Sequence, residues 1–222
     1  MCGRFTLTVD PAELKDEFGG ADFPAKFEPR YNIAPTQPIL AIPNDGRNKA
    51  DFFVWGLIPS WAKDPEIGNR LINARGETLA EKPSFRGSYK YKRCLVLTDG
   101  YYEWKSVPGS KTKIPHFIHL KTGKPFTFAG LWDEWHSADG SSIRSCTIVT
   151  TAPNILMASI HNRMPVILHS KNYSEWLDPL PQTAEKLNHL ITEFPAELME
   201  AYPVSTLVNS PANDRAECML PA

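Results

Sequence analysis

Short runs that alternate apolar with polar residues dominate the chain, and a few stretches at helical spacing lie between them. Strands are predicted over Pro38 to Ile42, Asp51 to Leu57, Arg93 to Leu97, Tyr101 to Lys105, Pro115 to Leu120, Phe126 to Trp132, Ile143 to Thr150 and Met164 to Leu168. His116, Ile118 and Leu120 share one face of their run, and Phe126 and Phe128 share a face of the next. Lys121-Thr122-Gly123-Lys124 between those two runs predicts a hairpin loop. A helix is predicted within Asp10 to Gly19, with Asp10 at the cap, Pro11 at the first position, Glu13 three residues after the cap and Gly19 past the end. Further helices are expected near Ser84 to Tyr91, Pro153 to Ile160, Asn172 to Leu177 and Thr183 to Ile191. The Pro-rich stretch from Gly20 to Gln37 reads as loop. No repeat, low-complexity tract or linker interrupts the pattern. It predicts one α+β domain over residues 1–222, with curved antiparallel sheets forming an open barrel and short helices at its flanks.

Composition narrows the chemistry. Of 222 residues 42% are hydrophobic, which is enough for a sizeable core. The formal net charge of −1 excludes a general pull toward nucleic acid or membrane, so any anionic partner must meet a local patch. The cysteines, at 2, 94, 146 and 218, form no CxxC pair, which argues against a zinc site or a disulfide scaffold. Cys94 and Cys146 lie in apolar runs and read as buried strand thiols. No segment has the form of a signal peptide or a membrane span, so a cytoplasmic location is expected.

Five segments put polar groups where a plain core or loop would not. The first is Met1-Cys2-Gly3-Arg4-Phe5. A methionine followed by a small side chain is a substrate for removal, and removal would leave Cys2 as a terminal 1,2-aminothiol. Its amine (pKa about 7.7–8.0) and thiol (about 8.5) are both reactive near neutrality. An amine condenses with an aldehyde to an imine, and the adjacent thiol closes on it to give a thiazolidine. The plain alternative is a small apolar residue near a terminus. The second segment, Leu71 to Thr78, holds Asn73, Arg75 and Glu77; an amide suits a sugar or carbonyl, and a guanidinium suits phosphate. Equally, Asn73 can make a local turn and Arg75–Glu77 a surface pair.

The third segment, Thr98 to Lys105, sets Tyr101, Glu103 and Lys105 on one face of a strand and Tyr102 and Trp104 on the other. A carboxylate among aromatics suits proton transfer, and the alternative is an ion pair at a strand edge. The fourth, Ser159 to Val166, holds His161 and Arg163, and a histidine there can shuttle a proton. The other histidines read as structural, and strand alternation puts His116 and His119 on opposite faces, which rules them out as a metal pair. The fifth, Lys82 to Arg93, carries five basic residues, no acidic ones and three aromatics. It fits a single-strand-binding surface, or a helix with Phe85 and Tyr89 on the core and its cations in solvent.

Together these segments closely resemble the SOS-response-associated peptidase (SRAP) family, whose members crosslink abasic DNA. The matching pieces are MCGRF at 1–5, RYNIAP at 30–35, WGLIPSW at 55–61, LINARGET at 71–78, DGYYEW at 99–104, VTTAPN at 149–154, IHNRMPVIL at 160–168 and PVSTLVN at 203–209, in family order over nearly the whole chain. The resemblance implies a single SRAP-like domain that binds single-stranded DNA containing an abasic site. It also implies covalent self-modification through Cys2 after Met1 is lost, with associated lyase and self-processing peptidase activity. By motif, Cys2 is the nucleophile, Asn73 positions the sugar, Glu103 is the acid/base and His161 promotes ring opening. Arg4, Asn32, Arg75 and Arg163 become DNA contacts. Trp61 falls where the family carries an aromatic wedge, although some members have two adjacent tryptophans there and this chain has Trp61-Ala62. No metal and no cofactor are implied, and a monomer associated with the nucleoid when bound to DNA is expected. Two rivals stay open. An N-terminal-nucleophile amidotransferase also begins Met-Cys-Gly, and a non-covalent DNA-binding module would use the same cations.

Overall fold

The computed structural model describes residues 2–222. In chain order the strands are β1 (Phe5–Leu7), β2 (Arg30–Ile33), β3 (Pro38–Pro43), β4 (Asp51–Trp55), β5 (Asn73–Arg75), β6 (Arg93–Thr98), β7 (Gly100–Ser106), β8 (Lys113–Leu120), β9 (Phe126–His136), β10 (Ser142–Thr151), β11 (Met164–Pro165) and β12 (Met199–Pro203). The helices are α1 (Pro11–Glu17), α2 (Arg86–Tyr91), α3 (Ile155–Ala158), α4 (Tyr173–Trp176) and α5 (Ala184–Leu187). Helix α1 starts as its sequence requires: the Asp10 carboxylate accepts from the N–H groups of Ala12 and Glu13. None of these helices is long and apolar enough to cross a membrane.

Two sheets result, giving the expected α+β fold with curved antiparallel sheets. One runs β12-β8-β7-β1-β2, all antiparallel. In the other, β10, β4, β3, β6 and β9 pair in sequence and β9 pairs back onto β10, so the barrel closes. Closure removes the edges an open sheet would expose. Every pairing in the ring is antiparallel except β10 with β4.

The predicted hairpin at residues 121–124 is not one. The turn, with Gly123 at φ 69°, carries the chain from β8 in one sheet to β9 in the other. Alternation located both strands, but it is silent on which partner each takes. Between the sheets, Phe5 of β1 packs edge-on against Trp55 (5.0 Å) and Phe128 (5.9 Å), and Tyr101 of β7 packs on the same Phe128 (5.7 Å). The N-terminal strand is therefore seated on the barrel by aromatic burial.

The basic run divides. Phe85 and Tyr89 are buried at i, i+4 spacing, as an amphipathic helix requires. Arg93 does not join the solvated cations: it is fully buried at the start of β6. Its guanidinium donates to the backbone carbonyls of Tyr89, Lys90, Trp176, Asp178 and Leu180. It thus caps the end of α2 and fixes the segment after α4.

Arg93→Ala leaves several of these carbonyls dry, at about 1–3 kcal/mol for each buried unsatisfied group. A loss of at least about 3 kcal/mol is expected in urea unfolding. A loss below about 1 kcal/mol would show that water replaces the guanidinium freely.

Candidate active site

The site is built around an exchange of partners along β10. β4 pairs in parallel with β10 at Ser145 and Cys146, and β5 continues the parallel pairing at Ile148, Val149 and Thr150. Between them the chain leaves at Gly56 and returns through a 3-10 turn at Pro65–Arg70. Gly56 has φ 133°, and a Cβ there would lie 2.5 Å from the Gly68 carbonyl oxygen. Only glycine meets both demands. The indole N–H of Trp55 donates to the Ile72 carbonyl at 2.9 Å and holds the returning chain in place. Asn73, the first residue of β5, then donates from Nδ2 to the Cys2 carbonyl at 2.7 Å. Its Oδ1 is buried and accepts no hydrogen bond among the described residues.

Cys2 reaches this point because β1 is held at its other end. The Asp99 carboxylate accepts from the hydroxyls of Thr6 and Thr8 and from the Thr8 N–H, and Tyr102 N–H donates to the Arg4 carbonyl. This clamp runs β1 antiparallel to β7, with Phe5 opposite Tyr101. Glu103 lies further along β7, 4% exposed. Cys2 is 0% exposed. Its thiol is pushed far above the usual range, first by burial and then by the negative charge of Glu103. This setting favours the neutral thiol over the thiolate.

Past Asn73, the end of β10 gathers the remaining candidates. Arg75 pairs with Thr150 on one side and projects into solvent. On the other side β11 pairs with Thr150 and Thr151, and Arg163 just before it donates to the Thr150 carbonyl (2.7 Å) and holds Glu77 in a two-pronged ion pair. Glu77 is thus the partner of Arg163, not of Arg75. The Arg163 hydrogen bond lowers the Glu77 pKa, against a smaller opposing effect of burial. His161 is half-buried in the turn after α3. Its Nδ1 lies 3.1 Å from the Arg163 N–H and 3.3 Å from the Arg163 carbonyl, so the loop backbone holds the ring. Cys2 and Asn73 are in direct contact, and the Glu103 charge reaches the thiol. His161 stands on the segment flanking β10 opposite β5.

Three other candidates lie further out. Arg4 donates to Asn32 Oδ1 and to the Val208 carbonyl, both at 2.7 Å, and its guanidinium lies 5.8 Å from the Trp104 ring centroid. Asn32 is fully buried, with Nδ2 facing the carbonyls of Val208, Ser210 and Asn213. Both side chains tie the C-terminal segment to the β1–β2 edge. Asp214 reinforces this by accepting from the N–H groups of Tyr31 and Asn32. Trp61, in contrast, is 59% exposed and borders a cleft with Pro83, Tyr91 and Lys92, beside the basic run.

Sequence reasoning gave no role to Tyr101, although alternation already put it on the Glu103 face. The register also sets His116 across from Glu103, a neighbour that only strand pairing reveals. Among the described residues no group of three or more His, Cys, Asp or Glu is placed to hold a metal ion.

With the geometry in place, comparison with known proteins adds the following. The sequence model described as SOS response associated peptidase (SRAP) matches residues 1–211. The chain is 49% identical over 220 residues to the abasic site processing protein YoqW of Bacillus subtilis (strain 168), covering 98% of both chains. It is 33% identical over 267 residues to the abasic site processing protein HMCES of Xenopus tropicalis, covering 99% of this chain and 78% of that one. A crystal structure of a protein from Bacteroides thetaiotaomicron superposes over 100% of both chains with a TM-score of 0.88 at 28% identity.

The Arg163–Glu77 pair makes an acid-limb prediction. The folded pKa of Glu77 lies below its unfolded value, so the contribution of the pair is complete above about pH 4.3 and fades as pH falls through the folded value. The carboxylate is about half exposed, so the contribution is about 1 kcal/mol or less. The urea midpoint of wild type minus that of Glu77→Gln should be positive and flat near neutrality and shrink below about pH 4.3. A difference that grows toward acid contradicts the pairing.

Proposed function

The chain belongs to the SOS response associated peptidase family, and from that premise we propose that it captures abasic sites in single-stranded DNA. It does so by forming a covalent thiazolidine through Cys2 once Met1 is removed, shielding the lesion during repair. The observation that carries this reading is the partly buried Asn73–Cys2 hydrogen bond of 2.7 Å, with the Glu103 charge felt at the Cys2 thiol. The relatives in Bacillus subtilis and Xenopus tropicalis, named as abasic site processing proteins, support the choice of lesion.

The chemistry follows the order the environment sets. An abasic sugar is mostly a closed hemiacetal. His161 gives a proton to the ring oxygen as the C1′–O4′ bond breaks and takes back the proton of the C1′ hydroxyl, so the aldehyde at C1′ is exposed with no net proton consumed. The Cys2 amine attacks first, because burial and Glu103 keep the thiol protonated. Glu103 accepts the proton of the attacking amine and returns it to the departing hydroxyl, so the imine forms with loss of water. The thiol then adds across the C=N bond, and its proton passes to nitrogen. Asn73 Oδ1 accepts from a sugar hydroxyl while its Nδ2 keeps the Cys2 backbone still. Loss of a proton from the carbon beside an unclosed imine expels the 3′ phosphate; this is the lyase side reaction. In self-processing the same thiol attacks the Met1 carbonyl, the amide passes to a thioester with the amine freed, and water then releases methionine and restores the thiol. Every group in the scheme belongs to this chain acting as a monomer, and no cofactor takes part.

Arg75, exposed at the end of β5, meets a phosphate. Arg163 contributes through the frame it makes with Glu77 and Thr150. Arg4 and Asn32 act through the segment they hold. Trp61 offers a ring for stacking beside the cations of α2. Acting on DNA places the protein in the cytoplasm, with the nucleoid.

Mature wild-type protein should give a detergent-stable adduct with abasic single-stranded DNA on a denaturing gel. Cys2→Ala, which keeps the amine and loses the thiol, should leave strand cleavage but no stable adduct. An undiminished, equally stable adduct from Cys2→Ala sinks the assignment.

Arg75→Ala should flatten the log-log salt dependence of binding by about 0.7, one phosphate on a single strand. Its thermal midpoint should match wild type. If neither the slope nor the adduct rate changes, Arg75 faces solvent and not DNA.

A further inference from the structure

Tyr101 lies two residues before Glu103 on β7, so both side chains leave the same face of the strand. Its ring is fully buried against Phe128, and its register partner is Phe5 of β1. The hydroxyl oxygen is buried and has no hydrogen-bond partner among the described residues. A buried phenol oxygen ordinarily finds a partner, and one that does not is a candidate for a catalytic role. Cys2 packs in the same buried cluster. Burial first, then the nearby Cys2 and Glu103, each of which disfavours a phenolate beside it, push the phenol well above its usual range. It is therefore a proton donor at any working pH and never a base.

We propose that the Tyr101 hydroxyl donates a hydrogen bond to the Cys2 sulfur during ring closure, and so commits a captured lesion to the thiazolidine instead of strand cleavage. The proposal rests on the reading that Cys2 forms an imine with an abasic aldehyde. In closure the S–C1′ bond forms, the C=N π pair moves to nitrogen, and the thiol proton ends on that nitrogen. No oxidant or leaving group is needed. Midway, the sulfur bears negative charge in a buried site that already opposes it. A donor at sulfur offsets that opposition. The competing β-elimination takes a proton from the carbon beside the imine and expels the phosphate. It places no charge on sulfur, so Tyr101 does not assist it.

The test compares wild type with Tyr101→Phe on abasic single-stranded DNA. It follows borohydride-trapped imine, borohydride-resistant adduct and cleaved strand. Imine should form at the wild-type rate, while resistant adduct forms roughly tenfold to a hundredfold more slowly, the range of one hydrogen bond to an ionised group. The cleaved share should rise. The thermal midpoint should hold or rise, because the variant removes a buried orphan hydroxyl. 3-Fluorotyrosine at position 101, a stronger donor, should speed closure and provides the test even if the Phe variant folds poorly. Closure by Tyr101→Phe at the wild-type rate overturns the proposal, as does a parallel fall in imine formation and closure. Wild-type protein that gives neither imine nor adduct overturns the reading of Cys2 itself.

Discussion

One hydrogen bond, from the Asn73 carboxamide to the Cys2 carbonyl, depends on much of the fold and organises the site. It exists because β5 takes over from β4 along β10, and that exchange needs the close approach of Gly56 and Gly68. It also needs the first strand to arrive at the same place from the other sheet. β1 has only three residues, too few to hold itself, so Asp99 clamps its far end and Phe5 seats it on the barrel. The closed barrel is the rigid body against which both segments are placed. Cys2, in a part of the chain where order is ordinarily lowest, is thereby held in place.

Enclosure has an electrostatic consequence. Burial and the Glu103 carboxylate suppress thiolate at Cys2; in the reaction we propose, the sulfur stays quiet until chemistry at the amine brings an electrophile to it. A site built for a fast thiolate nucleophile would do the reverse, with a low thiol pKa beside a cation. At the mouth, the cations are divided by use. Arg163 spends its donors on Glu77 and Thr150, whereas Arg75 stays in solvent. A chain of net charge −1 can thus present local positive charge without being basic overall.

Legibility followed element length and the reach of the pairing. Alternation exposed the long strands, and the punctuation of Asp10-Pro11 exposed α1. It did not expose β1, β2, β5 or β12, which are three to five residues long and defined by partners far away in sequence. Residues 73–75 in isolation look like a turn; only β10 makes them a strand. The same blindness explains the false hairpin at 121–124 and the pairing of Glu77 with the wrong arginine. Arg93 shows a further limit, since nothing local distinguishes a solvated cation from one wrapped by five carbonyls. In contrast, Cys2, Asn73 and Glu103 stand out one by one as polar groups that their surroundings do not require, each with a plain alternative beside it. Their relation to one another was not.

The central claim is that the N-terminal residue of the mature chain is the point of covalent attachment. Peptide mass spectrometry of the adduct with abasic single-stranded DNA tests it most directly. The account predicts that the modification lies wholly on the peptide beginning at Cys2, with Met1 absent. The mass should equal that of peptide plus sugar fragment less one water, and borohydride should not increase it. Attachment at a lysine, attachment with Met1 retained, or an adduct that borohydride reduces would contradict it.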